Sequence, residues 1–231
     1  MDIEFLEHCE NDNQEGVKEC LKYFCEILCK GLIVACKAGN STIVSSVLEM
    51  PRPDINFQDE DGDTAIYLAI DEEQTECVRT LAETGKVQWN KRDIWGHTPL
   101  YYALGRSYSD IVDIIMQQPN IDYTVQTEMG DTLGHAAVTG GSVECVEKLI
   151  AQERFHSWNV PDGPLMGQGD TPIMLALKLG NTEIVEILIR CPQVDLSCRD
   201  REGWSLVFRA IQRNELGKKM LKIFENHSLS L

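Results

Sequence analysis

Cys20, Cys25, Cys29 and Cys36 are the densest run of side chains that could do chemistry, and zinc is the chemistry that thiols invite. Zinc-binding thiolates favour tight, paired spacings. Here four, three and six residues separate successive cysteines, on ground with helical spacing. Cys20 also stands where comparable helices carry Val47 or Ile115, and Cys77 and Cys145 replace Ile in the same way. These thiols therefore read as small buried hydrophobes, with a metal-linked regulator built on the N-terminal cysteines as an alternative. The histidines at 8, 97, 135, 156 and 227 are scattered and pair with nothing obvious. "GPLMGQGD", residues 163–170, is glycine-rich and precedes a helix, but it lacks the lysine of a phosphate cradle, and Asp170 would repel phosphate. G-x-S-x-G, H-E-x-x-H and C-x-x-C are absent. Without a nucleophile, base and orienting group, the expectation is no enzyme, no catalytic residues, no metal and no cofactor.

Charge narrows the classes further. The net charge of −16 and pI near 4.7 argue against a nucleic-acid binder, which needs a basic footprint. Residues 1–165 carry 29 acidic and 12 basic side chains, and residues 166–231 carry 8 and 9. An acidic body of this kind suits a cationic, Lys/Arg-rich protein partner. No run of 18 apolar residues exists, so no membrane insertion is expected. The start "MDIEFLEHCE" has no positive or apolar leader region. Nine cysteines, an odd number without framework spacing, point to reduced thiols in a cytoplasmic or nuclear protein.

The positions of these residues are governed by a repeat. Gly62, Gly96, Gly130, Gly169 and Gly203 open similar phrases at steps of 34, 34, 39 and 34. Seven residues after each glycine stands Ala69, Ala103, Ala137, Ala176 or Ala210, and one period earlier Ala35 takes that place. A strictly small residue predicts close backbone approach. Thr64, Thr98, Thr132, Thr171 and Ser205 follow each glycine by two, where a hydroxyl accepts from the open N–H groups of a starting helix. Pro99 and Pro172 come next, at a first helical position that needs no N–H. A short helix then runs to a break such as Gly141 or Gly180. A second helix follows, with pairs such as Ile111–Val112 and Ile115–Met116 one turn apart. Turn-rich links such as "GKVQWNKRDIWG" suit a short hairpin.

"GHTPLYYALG" and "GDTPIMLALKLGNTEIVEILI" resemble the ankyrin repeat, whose helix-start signature T-P-L-H-x-A recurs every 33 residues or so. The resemblance is specific over residues 59–92, 93–126, 127–165 and 166–199, and weaker but in register over 27–58 and 200–231. Residues 1–26 read as degenerate N-terminal cap helices, with Cys9, Val17 and Leu21 inward. Tyr67, Tyr101 and Met174 stand at the signature histidine slot, which His135 alone fills. Lys218, Lys219 and Lys222 occupy apolar slots of the last unit, as a terminal cap requires. The expectation is an all-α ankyrin-repeat solenoid of about six to seven helix-turn-helix units with short β-hairpin connections, folded as one domain over residues 1–231.

The resemblance implies a protein-interaction module, an adaptor, scaffold or inhibitor, that binds on the concave face made by turn tips and first helices. Its candidate contact residues are Glu60, Asp61, Asp63, Asp71 and Glu72, an acidic stretch, then Ile94, Trp95, His97, Arg106, Met129 and Asp131. The long fourth step places an insertion within "RFHSWNVPDGPLMGQGD", from which Trp158, Leu165 and Met166 are expected to project. Asn56, with Leu48 and Asp54 upstream, resembles the hairpin asparagines that asparaginyl hydroxylase modifies. A further alternative is that the repeats form a targeting or autoinhibitory arm of a larger enzyme or receptor.

Overall fold

The computed structural model describes residues 14–50, 53–59, 62–163, 169–212 and 214–226, with the side chains of 14–23, 214–216, 220 and 226 left out. Glu60, Asp61, Leu165 and Met166 lie outside the described residues, as do Cys9 and the side chains of Val17, Cys20 and Leu21. Two compact units divide the chain, Met1–Gln88 and Trp89–Leu231.

The first unit opens on α1 (Gln14–Lys37), a single helix that runs through the expected boundary at residue 26. No proline or capping residue interrupts "QEGVKECLKYFCEILCKGLIVACK", so from Gln14 onward one helix replaces the expected pair. It ends at Gly39, whose φ of +71° is a left-handed conformation that costs glycine nothing. The Asn40 carboxamide caps α2 (Ser41–Leu48), accepting from the Ile43 N–H at 3.1 Å. α3 (Ala65–Asp71) and α4 (Thr75–Glu83) complete the unit. α1 packs on α2 and α3, and α4 packs on both α2 and α3. Leu32, Cys36, Val44, Ile70, Cys77, Val78 and Leu81 fill the interior. Burial pushes the Cys36 thiol up to about 12 and raises those of Cys29 and Cys77, so these cysteines behave as hydrophobes.

The second unit repeats this layout four times. Its first helices are α5 (Pro99–Gly105), α7 (Leu133–Gly140), α9 (Pro172–Leu179) and α11 (Leu206–Ile211). Its second helices are α6 (Ser109–Met116), α8 (Val143–Ile150), α10 (Thr182–Arg190) and α12 (Asn214–Asn226). First helices touch in sequence, α5 on α7 on α9 on α11, and so do second helices. The recurring alanines explain the fit, for Ala35, Ala69, Ala103, Ala137, Ala176 and Ala210 are all buried. Side chains such as Ile111, Leu149 and Leu188 have no exposed surface. Each such burial contributes about 1.5–3 kcal/mol, more than a typical cap at about 1 kcal/mol, so stacking rather than local propensity holds the repeats. In α12 the inward side is set by Gly217, Leu221 and Phe224, which leaves Lys218, Lys219 and Lys222 exposed.

The links differ from the expected hairpins. Among the described residues they carry two isolated antiparallel bridges, Gln126 with Thr132 and Arg199 with Ser205. What shapes the tips instead is a side-chain acceptor three residues before Gly62, Gly96, Gly130 and Gly203. Asp93 Oδ1 accepts from the N–H groups of Trp95 (2.9 Å) and His97 (2.8 Å). Thr127 Oγ1 does the same for Met129 and Asp131, and Asp200 Oδ1 for Glu202 and Trp204. These turns tighten without a ladder.

Candidate functional site

In the second unit the first three tips are joined into a backbone shelf. The Glu128 N–H donates to the Trp95 carbonyl at 3.1 Å, and the Gly163 N–H to the Met129 carbonyl at 2.7 Å. A Cβ on Gly130 would fall 2.5 Å from the Gly163 nitrogen, so glycine is required here for close approach as well as for its φ of +85°. On this shelf Ile94 is 68% exposed, Trp95 52% and Met129 40%, although nothing in the stack requires apolar side chains there.

Behind the shelf runs a row of rings. His97 stacks on Tyr101 with centroids 4.5 Å apart, meets Tyr102 edge-on at 5.4 Å and lies 6.2 Å from the Trp95 ring. Its Nδ1 is 3.0 Å from Asp93 Oδ2, whose carboxylate is nearly buried. The Tyr101 hydroxyl donates to Asp131 Oδ2 at 3.5 Å. Burial raises the Tyr101 hydroxyl, and the neighbouring Asp131 charge adds to the effect. Burial also raises the Asp131 carboxyl, with Asp162 pushing the same way. Trp95, His97, Met129 and Asp131 are thus brought to adjacent tips, and Arg106 lies exposed just beyond the end of α5.

The described candidates of the acidic stretch, Asp63, Asp71 and Glu72, belong to the first unit. Asp63 is half-buried in its turn, Asp71 half-buried at the end of α3, and Glu72 exposed at its C-cap. Carboxylates at a helix C-terminus oppose the helix dipole by up to about 1 kcal/mol each.

Trp158 corrects the sequence reading. It does not project but is fully buried, edge-on to Phe155 at 4.9 Å. The reason is readable in "SWN", which repeats the "QWN" of Trp89–Asn90. Asn90 reaches the next link through Nδ2 to the Asn120 carbonyl and Oδ1 from the Asp122 N–H. Asn159 does likewise with the Gln193 carbonyl and the Asp195 N–H. Trp158 thus holds the core slot of Trp89, and the main insertion begins only after Asp162, whose Oδ1 accepts from the N–H groups of Gly169 and Asp170. Asn56 belongs to the same series, paired with the Lys86 carbonyl and the Gln88 N–H. Among the described residues no group of three or more His, Cys, Asp or Glu is arranged to hold a metal.

Two features of the turn tips escaped sequence reading. Asp93 is a nearly buried carboxylate behind the ring row, and Arg209 is held on Asp200. Arg209 carried a signal, because its slot is Leu68, Tyr102, Ala136 and Leu175 in the other units.

Comparison with known proteins agrees with this geometry. A family model described as ankyrin repeats in three copies matches residues 32–127 and 133–227. The chain belongs to the ankyrin-repeat family. It resembles an ankyrin repeat domain from Acinetobacter baumannii with a TM-score of 0.75 at 22% identity, over 85% of this chain and 97% of that one. A second ankyrin repeat protein aligns at a TM-score of 0.76 and 19% identity with the same coverage. Among curated proteins it is 28% identical to the Drosophila melanogaster tyrosine-protein kinase Shark over 156 residues, 67% of this chain and 16% of the kinase. It is 30% identical to mouse Rabankyrin-5 over 93 residues, 40% of this chain and 8% of that protein. The chain thus spans a small part of these relatives' length. Ankyrin stacks serve as protein-interaction modules, and no helix of the described residues is long and apolar enough to cross a membrane.

Proposed function

We propose that this protein is a non-enzymatic interaction module, an adaptor, scaffold or inhibitor, that holds a partner segment against its turn tips and first helices. The observation that carries the reading is the exposed apolar set Ile94, Trp95 and Met129 on backbone that is hydrogen-bonded tip to tip. An aromatic side chain with few rotatable bonds on a preorganised surface is what a binding hot spot requires, since little ordering entropy opposes association, and Met129 adds an adaptable apolar contact beside it. Glu60, Asp61, Asp63, Asp71 and Glu72 draw a Lys/Arg-rich stretch of the same partner, with His97, Arg106 and Asp131 bordering the apolar anchors.

Affinity capture from native lysate, comparing the wild-type chain with Trp95→Ala/Met129→Ala, tests it. A protein held by the wild type and lost by the variant is the expected result; identical captures would sink the assignment of this face. A second reading, an ankyrin arm of a larger enzyme or receptor, is favoured by the small share of Shark and Rabankyrin-5 that the chain spans. Immunoblotting of native extract separates the two, since the arm reading requires a product well above 26.1 kDa.

A further inference from the structure

We propose that the exposed face of α1 and α2 is a self-association surface, covered by the same face of a second copy of this chain across a two-fold axis. The repeats themselves supply the comparison. Cys77 and Leu81 in α4, Cys145 and Leu149 in α8, and Ile184 and Leu188 in α10 have no exposed surface, each helix packed on the second helix before it. At the same two slots of α2, Ile43 is 48% exposed and Val47 half-buried. Ala65, Leu133, Pro172 and Leu206 are likewise buried in first helices that each pack on the one before, whereas Gly31 at that slot of α1 is exposed. Phe24, Ile27 and Val34, at 48%, 52% and 65% exposure, lie on the Gly31 side of α1, because steps of three and four return to one face of a helix.

Nothing inside one copy calls for glycine at 31. A Cβ there would meet no atom within 4 Å, and Leu133 and Leu206 fill the same slot in other repeats. A mid-helix glycine also weakens a helix relative to alanine. What a missing side chain on an exposed stripe permits is the close approach of another backbone. Two copies of α1 crossing at Gly31 lay Ile27 of each against Val34 of the other, and Phe24 and Ile43 extend the apolar strip. Every contact of a two-fold interface is made twice, so a short strip serves.

Charge selects a second copy over other occupants. Residues 14–48 carry three acidic and four basic side chains, and α2 carries none, in a chain that carries 37 and 21. Two molecules of net charge −16 repel over most of their surface, and least here. A Lys/Arg-rich segment is drawn to the acidic surfaces instead. The matching occupant is another near-neutral apolar face, and depletion of charge is what marks the core of an interface. The last repeat is built differently, with Lys218, Lys219 and Lys222 exposed on α12. Head-to-tail stacking would lay that lysine-bearing helix on the apolar side of α2, which disfavours it.

Sedimentation velocity of the full chain over a series of concentrations tests the proposal. The expected result is a reversible equilibrium between the 26.1 kDa monomer and its dimer. Its Kd should lie in the micromolar range, since the strip is smaller than the about 800 Å² per partner of a standard interface. Gly31→Leu is the decisive variant, because leucine is accepted at the same slot of α7 and α11 and favours a helix, yet blocks the crossing. It should weaken dimerisation by about tenfold or more, while the urea midpoint of the monomer does not fall. Val34→Glu/Ile43→Glu, which brings like charges together across the axis, should act the same way. Trp95→Ala/Met129→Ala should leave the dimer intact, which separates this surface from the tip shelf. Monomer at every concentration would overturn the proposal, and a urea midpoint lowered by Val34→Glu/Ile43→Glu would then assign the face to residues of the chain itself. A dimer that Gly31→Leu leaves intact would overturn it too, as would growth past the dimer, the mark of head-to-tail stacking.

Discussion

Glu73 and Ser107 are the residues that most clearly conflict with their surroundings. They hold φ of +55° and +63° at the position after each first helix, where Gly39, Gly141 and Gly180 hold +71°, +80° and +83°. A side chain in the left-handed region costs about 1–2 kcal/mol relative to glycine. Ser107 Oγ is in addition buried without a hydrogen-bond partner. Glu73→Gly and Ser107→Gly should therefore each raise stability by about 1 kcal/mol, read as a higher urea midpoint at unchanged slope; a lower midpoint would show that these side chains serve the fold. The glycine periodicity contains this conflict in plain letters, because the slot is a glycine in three units and Glu73, Ser107 or Asn214 in the others. His135 was legible only in part. Its identity matches the signature slot and its Nδ1 accepts locally from the Thr132 N–H at 3.0 Å, but its second bond is tertiary: Nε2–H donates to the Asp170 carbonyl at 2.9 Å, 35 residues away.

At the scale of the element, helix starts were readable because their chemistry is local. Thr64, Thr98 and Ser205 accept from Tyr67, Tyr101 and Phe208 N–H groups three residues on, as their spacing demands. The tips were less so. A turn held by Asp200 looks like any aspartate in a link, yet its carboxyl is held below the usual aspartate range. Burial alone would raise it, but the Trp204 N–H, the Arg209 guanidinium and the Glu202 N–H outweigh that. A depressed folded value means stability that is present above the ordinary 3.8 and lost as pH falls through the lower folded value. Wild type should accordingly lose more stability between pH 6 and pH 3 than Asp200→Asn, which is weaker at both but flatter between them. Urea titrations of the two proteins at each pH decide it, and parallel losses would remove Asp200 from the acid response. The single helix α1 and the buried Trp158 mark where element boundaries were misplaced. A spacing count cannot tell one uninterrupted helix from two, nor assign an inserted residue to the correct side of Trp158 without the Asn159 contacts.

For the molecule as a whole, the proposed mode of association separates two kinds of contact. Trp95→Ala should weaken partner binding by about 2 kcal/mol or more at any salt concentration, as loss of a desolvated anchor does. Glu72→Lys should act chiefly on the association rate at low ionic strength, because an exposed charge is screened beyond about 10 Å at 0.1 M salt. Surface plasmon resonance at two salt concentrations measures both. A Trp95 effect that vanishes in high salt, or a Glu72 effect that persists there, would reverse the roles. The repeat, its helix starts, its small alanine slot and its acidic balance follow from residue order alone, because each depends on neighbours within a turn or on simple composition. Which tips bond to one another and which tryptophan is sealed inside depend on neighbouring repeats, with tip partners more than 30 residues away. Those contacts arise only when one repeat lies against the next, and so tertiary packing decided them.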